Sequence, residues 1–224
     1  MKLSRLAYEV VKSALKLGNQ EFVYEAFRQK DFDSDIDYSA DIDNCYTEIN
    51  QAIHRLSDLR KIPFKVEPFQ TNQGSSIFDF ATTELKIKNI IAIVKLNESN
   101  GDFQTIPFRT IGGSKVNLLG IGENSQKLYV EYAEDIPNFN EDDFDYSEYA
   151  ETGEYRDVEL SDYGINESMC SKIILYASAR LFAKVDPQIA AKEENIAEQY
   201  FDSLPVHGTS FTQKVIKATY RIGE

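Results

Sequence analysis

The feature that most constrains this chain is a change of hydrophobic period at Pro63. Before it, Ile42, Cys45, Tyr46, Ile49, Ala52, Ile53, Leu56 and Leu59 recur at three-and-four spacing, the stripe of an amphipathic helix. Proline disfavours helical geometry in the residue before it, so Pro63 is expected to end that helix. At about 1.5 Å per residue, two dozen residues span roughly 35 Å, the length of a bundle helix. After Pro63 the apolar residues come in short runs: Phe64, Val66 and Phe69, then residues 77–80, 85–96, 103–111, 116–121 and 128–132. Residues 97–102 (NESNGD), Gly112-Gly113 and Glu123-Asn124-Ser125 supply turn chemistry between them. Such runs predict an antiparallel sheet or a small barrel.

The helical period frames this middle on both sides. Leu3, Leu6, Ala7, Val10, Val11, Ala14 and Leu15 stripe residues 3–17, with Gly18 at the expected end. Phe22, Val23, Ala26 and Phe27 suggest a short helix over 21–27. Ser39 or Asp41 can cap the long helix. Past Leu160, the face of Met169, Cys170, Ile173, Ile174, Ala177, Leu181 and Phe182 predicts another helix, capped by Asp162 or Asn166. Ala177-Ser178-Ala179 would let a neighbouring helix approach closely. Asp186-Pro187 reads as a restart, with Asp as cap and Pro at the first helical position. Ile189, Ala190, Ile196, Ala197, Tyr200 and Phe201 carry the last helix to Leu204-Pro205. The expected fold class is α+β: a discontinuous helical bundle, residues 1–63 and 157–224, with an inserted antiparallel β domain, 64–156.

Composition narrows the function. With 224 residues and 42% hydrophobic residues, the chain is long and apolar enough for a folded core. No run of about 18 apolar residues occurs, so no membrane-spanning helix is expected. The charges interleaved from the first residues are unlike a secretion signal, so a cytoplasmic site of synthesis is expected. A net charge of −13 lacks the footprint of a phosphate-neutralising nucleic-acid binder. Its plainest meaning is solubility. Cys45 and Cys170 are the only cysteines, and each falls in an apolar stripe. They form no disulfide framework or zinc pattern and are expected as buried thiols.

No catalytic constellation emerges. Asp31, Asp33, Asp35 and Asp37 alternate like the start of a calcium loop. That loop needs glycine at its sixth position and glutamate at its twelfth. From Asp31 those places hold Ile36 and Ile42, and from Asp33 they hold Tyr38 and Asn44. His54 and His207 are the only histidines, and neither is paired in sequence with a nucleophile. Gly112-Gly113-Ser114-Lys115 lacks the first glycine and the spacer of a phosphate loop and lies between strands, so a β-turn is the better account. The reading is non-enzymatic, with no catalytic, cofactor or metal residues assigned and no cofactor.

Two segments look built for partners. Residues 138–155 carry seven acids and no Lys or Arg, interleaved with Phe139, Phe144, Tyr146, Tyr149 and Tyr155. So charged a stretch buries little, yet it has more aromatics than a spacer needs. It reads as a surface loop that orders against a partner. The tail, residues 209–222, holds β-favouring Phe211, Val215, Ile216, Thr219 and Tyr220 with Lys214, Lys217 and Arg221. It fits an extended arm that pairs with a neighbour's sheet edge, or a strand folded onto its own domain. The interface candidates are Phe139, Phe144, Tyr146, Tyr149, Tyr155, Phe211, Val215, Tyr220 and Arg221.

Three segments carry a resemblance: INQAIHRLSDLRKIP (49–63), YVEYAEDIP (129–137) and IILYASARLFAKVDPQIAAKEENIAEQY (173–200). In order and spacing they resemble head-to-tail adaptor proteins of tailed bacteriophages, including the tail tubular A-type proteins of podoviruses and the ring proteins of crAss-like phages. There a strand leads to an aromatic-acidic-Ile-Pro joint, an alanine-rich helix, an Asp-Pro break and a last helix. The chain departs from shorter adaptors in its larger β region and in the acidic 138–155 stretch. The resemblance implies a virion neck protein that forms a homo-oligomeric ring, a dodecamer, between the portal protein and the tail or further neck proteins. DNA passes through such a ring without sequence-specific binding, and no membrane is involved. The alternatives are another tail component, such as a tail terminator or minor tail protein, or a ligand-binding domain or enzyme with a dispersed site.

Overall fold

The structure, a computed structural model, describes residues 1–14, 39–97, 100–112, 114–122, 124–143, 145, 156–183 and 186–208. The chain is α+β and divides into two units. One is helical and discontinuous, Met1–Ile62 with Pro137–Val206. The other is built on Pro63–Ile136. A proline follows each crossing. Residues 21–27 and Asp31 to Asp37 lie outside the described residues.

Four helices are described in the helical unit: α1 (Leu3–Ala14), α2 (Ser39–Asp58), α3 (Glu167–Phe182) and α4 (Pro187–Ser203). The expected stripes of α1 and α2 are buried where they are described, whereas on α4 only Ala190, Ala197 and Phe201 are buried, Ile196 is half-buried, and Ile189 and Tyr200, expected on the apolar face, are exposed. Leu3, Leu6, Val10 and Val11 of α1 and Cys45, Ile49, Ala52 and Leu56 of α2 are fully buried. α3 packs against each of the other three, so a single stripe does not suffice for it. Tyr176, Ser178 and Ala179 are buried there as well as Met169, Cys170, Ile173, Ala177 and Leu181, while Ile174 and Phe182 are half-buried. A helix hemmed in on several sides buries more than one face, and its small residues allow close approach.

The helix ends are closed locally. Asn166 Oδ1 accepts from the Met169 N–H at 3.1 Å and caps α3. Asp186 Oδ1 accepts from Gln188 and Ile189 at 3.0 and 3.1 Å and caps α4 ahead of Pro187. α2 does not run to Pro63. It stops at Asp58 because Arg60 turns left-handed, φ 55°. The Lys61 N–H then reaches back to the Leu56 carbonyl at 2.9 Å, and the Arg60 N–H to Ser57 at 3.0 Å. These two bonds make a Schellman closure, with arginine where glycine is usual. Lys61, buried, donates from Nζ to the Leu204 carbonyl at 2.7 Å and the Asp202 carbonyl at 3.1 Å. The end of α2 thus satisfies the orphan carbonyls at the end of α4.

The β unit holds seven described strands: β1 (Lys65–Gln70), β2 (Ile77–Asp79), β3 (Ile87–Leu96), β4 (Phe103–Thr105), β5 (Phe108–Gly112), β6 (Lys115–Leu118) and β7 (Lys127–Glu134). They form two open antiparallel sheets, ordered β1-β7-β3-β4 and β2-β6-β5. The run expected over 103–111 is split at Ile106-Pro107, so the chain leaves the larger sheet and joins the smaller. One core draws on both: Phe69, Ile93, Ile106, Leu128, Val130 and Tyr132 with Phe80, Val116 and Leu118. Phe69, Phe78 and Phe80 form a tilted aromatic trio, with centroids 4.7–5.0 Å apart, a geometry the ring quadrupoles favour.

Candidate functional site

The polar groups that organise the helical unit gather at two places. The first is Arg180 on α3. Its Nε donates to Glu48 of α2 at 2.5 Å and its Nη1 to Glu194 of α4 at 2.8 Å, while its guanidinium lies 5.5 Å from the Tyr176 ring centroid. The fork of the guanidinium suits two carboxylates on different helices. The Glu48 hydrogen bond is the main cause that pushes the Arg180 pKa further up, with Glu194 adding to it against the penalty of burial. One turn or more away, Arg55 of α2 reaches Glu198 of α4 at 3.4 Å. Two cation–carboxylate links therefore hold α2 to α4, one of them through α3.

The second place is the joint that opens the acidic stretch. Asn50 of α2 acts as a peptide mimic. Its Nδ2 donates to the Phe139 carbonyl at 2.8 Å and its Oδ1 accepts the Phe139 N–H at 2.9 Å. His54, one turn on, meets Asn138 Oδ1 through Nε2 at 2.7 Å. The Phe139 ring is 2% exposed and meets Tyr163 edge-on at 5.3 Å. Phe139, expected among the interface aromatics, is thus part of this chain's own core. The described residues of the stretch it opens, 138–143 and 145, group with the helical unit, whereas residues up to 156 were expected with the strands.

The far end of the stretch is pinned too. Asp145 and Arg156 exchange backbone bonds at 2.8 and 3.1 Å. Asp157 then takes the Ser4 N–H at 3.2 Å and the Ser4 hydroxyl at 2.6 Å, capping α1 from a distant segment. Lys2 and Glu159 form an antiparallel bridge beside it. Burial raises the Asp157 pKa above the usual carboxylate value, and the Ser4 bonds only partly oppose it. Phe144, Tyr146, Tyr149 and Tyr155, and with them Phe211, Val215, Tyr220 and Arg221, lie outside the described residues.

Cys45 and Cys170 are buried free thiols. Burial pushes both pKa values up, the reverse of what activates a nucleophile. The Cys45 thiol donates to the Ala7 carbonyl at 3.5 Å. Among the described residues no group of three or more His, Cys, Asp or Glu is arranged to hold a metal ion, and no helix is long and apolar enough to cross a membrane. Sequence reasoning missed Arg180, Glu48, Asn50, Lys61 and Asp157. The available signal was polar residues seated within or beside the stripes: Arg180 beside Leu181, Asn50 beside Ile49. No protein-family model matches this chain, and no curated protein is similar to it.

Proposed function

We propose that the protein is a structural virion component of a tailed bacteriophage: a head-to-tail adaptor that forms a ring between portal and tail and surrounds the DNA channel. One observation supports this above others. Two of the three segments that resemble the adaptors, the first and the third, carry side chains that tie the helical unit together, and the first also holds the chain where it leaves the second. Asn50 and His54 of the first hold the chain just past the Pro137 that ends the second. Arg55 of the first binds Glu198 of the third. Arg180 of the third binds Glu48, one residue before the first begins, and Glu194 within the third itself. Segments bound to one another in this way suit a rigid scaffold.

On this reading the helical unit makes the ring contacts. The aromatic-acidic residues Phe144, Tyr146, Tyr149 and Tyr155 and the C-terminal arm meet the portal, a neighbouring copy or the tail. Ring contacts of this kind are head-to-tail, each copy burying two different flanks. Acidic faces toward the channel would repel phosphate weakly and leave DNA mobile.

Electron microscopy of the purified protein, alone and mixed with portal rings from the same particle, tests the proposal. Closed rings, alone or seated on the portal, are expected. A monomer that neither closes nor binds the portal overturns it. Binding to tail-tube ends instead would move the protein to the tail terminator.

A further inference from the structure

At the edge of a sheet, alternate residues turn their N–H and C=O groups away from the neighbouring strand. Among the described residues the β unit has four such edges; those of β1 and β2 are blocked, and that of β4 is short. On β1, the Thr71–Gln126 backbone bond fixes the alternation, so Val66, Pro68 and Gln70 face outward, and Pro68 has no N–H to offer. On β4, only Phe103 and Thr105 face outward in a three-residue strand. On β2, bonds from Leu118 to Ser76 and from Phe80 to Ser114 turn Ile77 and Asp79 outward. There the Ser75 hydroxyl accepts the Ile77 N–H at 3.2 Å and donates to the Ile77 carbonyl at 3.0 Å, and Thr82 donates to the Asp79 carbonyl at 2.7 Å. Side chains already occupy that edge.

The β5 edge differs. The Leu119 N–H bonds to the Pro107 carbonyl at 2.8 Å, so Arg109 pairs inward with Asn117 while Phe108 and Thr110 present their peptide groups outward. No side chain among the described residues is bonded to them. Phe108 packs its ring on the core, and on the other side Ile111 is 54% exposed. This is a half-apolar strand with an open edge, the arrangement that accepts an added strand.

We propose that the β5 edge is a strand-acceptor site and that its occupant is this protein's own C-terminal segment, residues 213–222. The pattern of that segment fits both faces of β5. Ile216, Ala218, Tyr220 and Ile222 alternate with Val215, Lys217, Thr219 and Arg221. As a strand, the first set extends the core beside Phe108. The second lies beside Ile111, where lysine and arginine stems cover apolar surface and keep their charges in water. Five residues of β5 need about 17 Å of partner strand, and ten residues supply roughly twice that. Joining copies edge to edge through β2 is disfavoured, because Ser75 and Thr82 hold its groups. The proposal does not rest on the neck-ring reading.

Two measurements on the full chain test it. In the first, Ile111→Cys is combined in turn with Val215→Cys, Lys217→Cys, Thr219→Cys and Arg221→Cys, and with Ile216→Cys and Ala218→Cys, under mild oxidation. Cross-linking is expected at one or two neighbouring positions of the first four and not at the last two. A link within one chain or between chains supports the pairing equally and tells which copy donates the strand. No link at any position, links irrespective of parity, or Ile111→Cys joining only to itself overturns it. In the second, amide exchange is compared between the full chain and one ending at Gly208. Exchange at Phe108 and Thr110 should rise at least tenfold on truncation while Arg109, bonded inside the sheet, is unchanged. Equal exchange at Thr110 in both overturns the proposal.

Discussion

Single residues in this chain depart from their usual places, and each departure is testable. Arg60 holds a left-handed conformation at the close of α2. That geometry strains an L-residue by about 1–2 kcal/mol, and glycine relieves it at an entropic disadvantage of roughly 0.5–1 kcal/mol. Arg60→Gly should therefore stabilise the protein by about 0.5–1 kcal/mol, read as a raised urea midpoint. Asp157 gives a pH signature. Its folded pKa is raised, so its contribution to stability is fully present below the ordinary carboxylate value and is lost as pH rises through the folded value. Relative to Asp157→Asn, the native chain should gain stability as pH is lowered from about 7 to about 4. A difference that stays flat, measured by chemical denaturation, would show that the Ser4 bonds cancel burial, and one that falls with pH would show that they outweigh it. Neither residue stands out in the sequence. Arg60 is an ordinary arginine by type, and its left-handed turn goes with the bonds that the next residue, Lys61, makes to two carbonyls at the end of α4.

At the scale of elements, the periodic patterns were sufficient for existence and type. The stripe of α2 and the Asp-Pro start of α4 stand where the pattern places them, and so do most of the strand runs, though 103–111 is divided between two sheets, because burial on one face is written in residue spacing. What the pattern cannot carry is reach across the chain. The bond from Asn50 to Phe139 spans 89 positions, and an aromatic amid acids reads as exposed until its partner is known. For the same reason Pro63 was an insufficient guide to where α2 ends. Arg180 shows how elements are held once they meet. Its side chain is 32% exposed, so its two ion pairs fall between the surface and buried regimes. Arg180→Met should destabilise the helical unit by about 1–2 kcal/mol, discounted for solvent screening. Comparing Arg180→Met with Arg180→Met/Glu48→Gln/Glu194→Gln in urea separates the lost pairs from the stranded acids. The triple variant should recover part of the loss.

The whole molecule is legible in outline. A return to helical period after a β middle implies that the chain leaves one body and comes back to it. The site candidates were less legible: Phe139 turned inward, and the fastenings at Asn50 and Arg180 carry no motif. The insertion itself has a consequence for biogenesis. The described strands of the β unit all lie in one span, Pro63–Ile136, whereas α1 and α2 cannot cover their apolar faces until α3, far downstream, exists. During translation the inner unit therefore folds first, and the two leading helices wait with greasy flanks bare, a state open to aggregation. Nascent chains arrested after Ile136 has emerged should resist protease across residues 63–136 and remain cleavable in residues 39–58. Simultaneous protection of both would mean that the early helices find another shelter, a chaperone among the candidates.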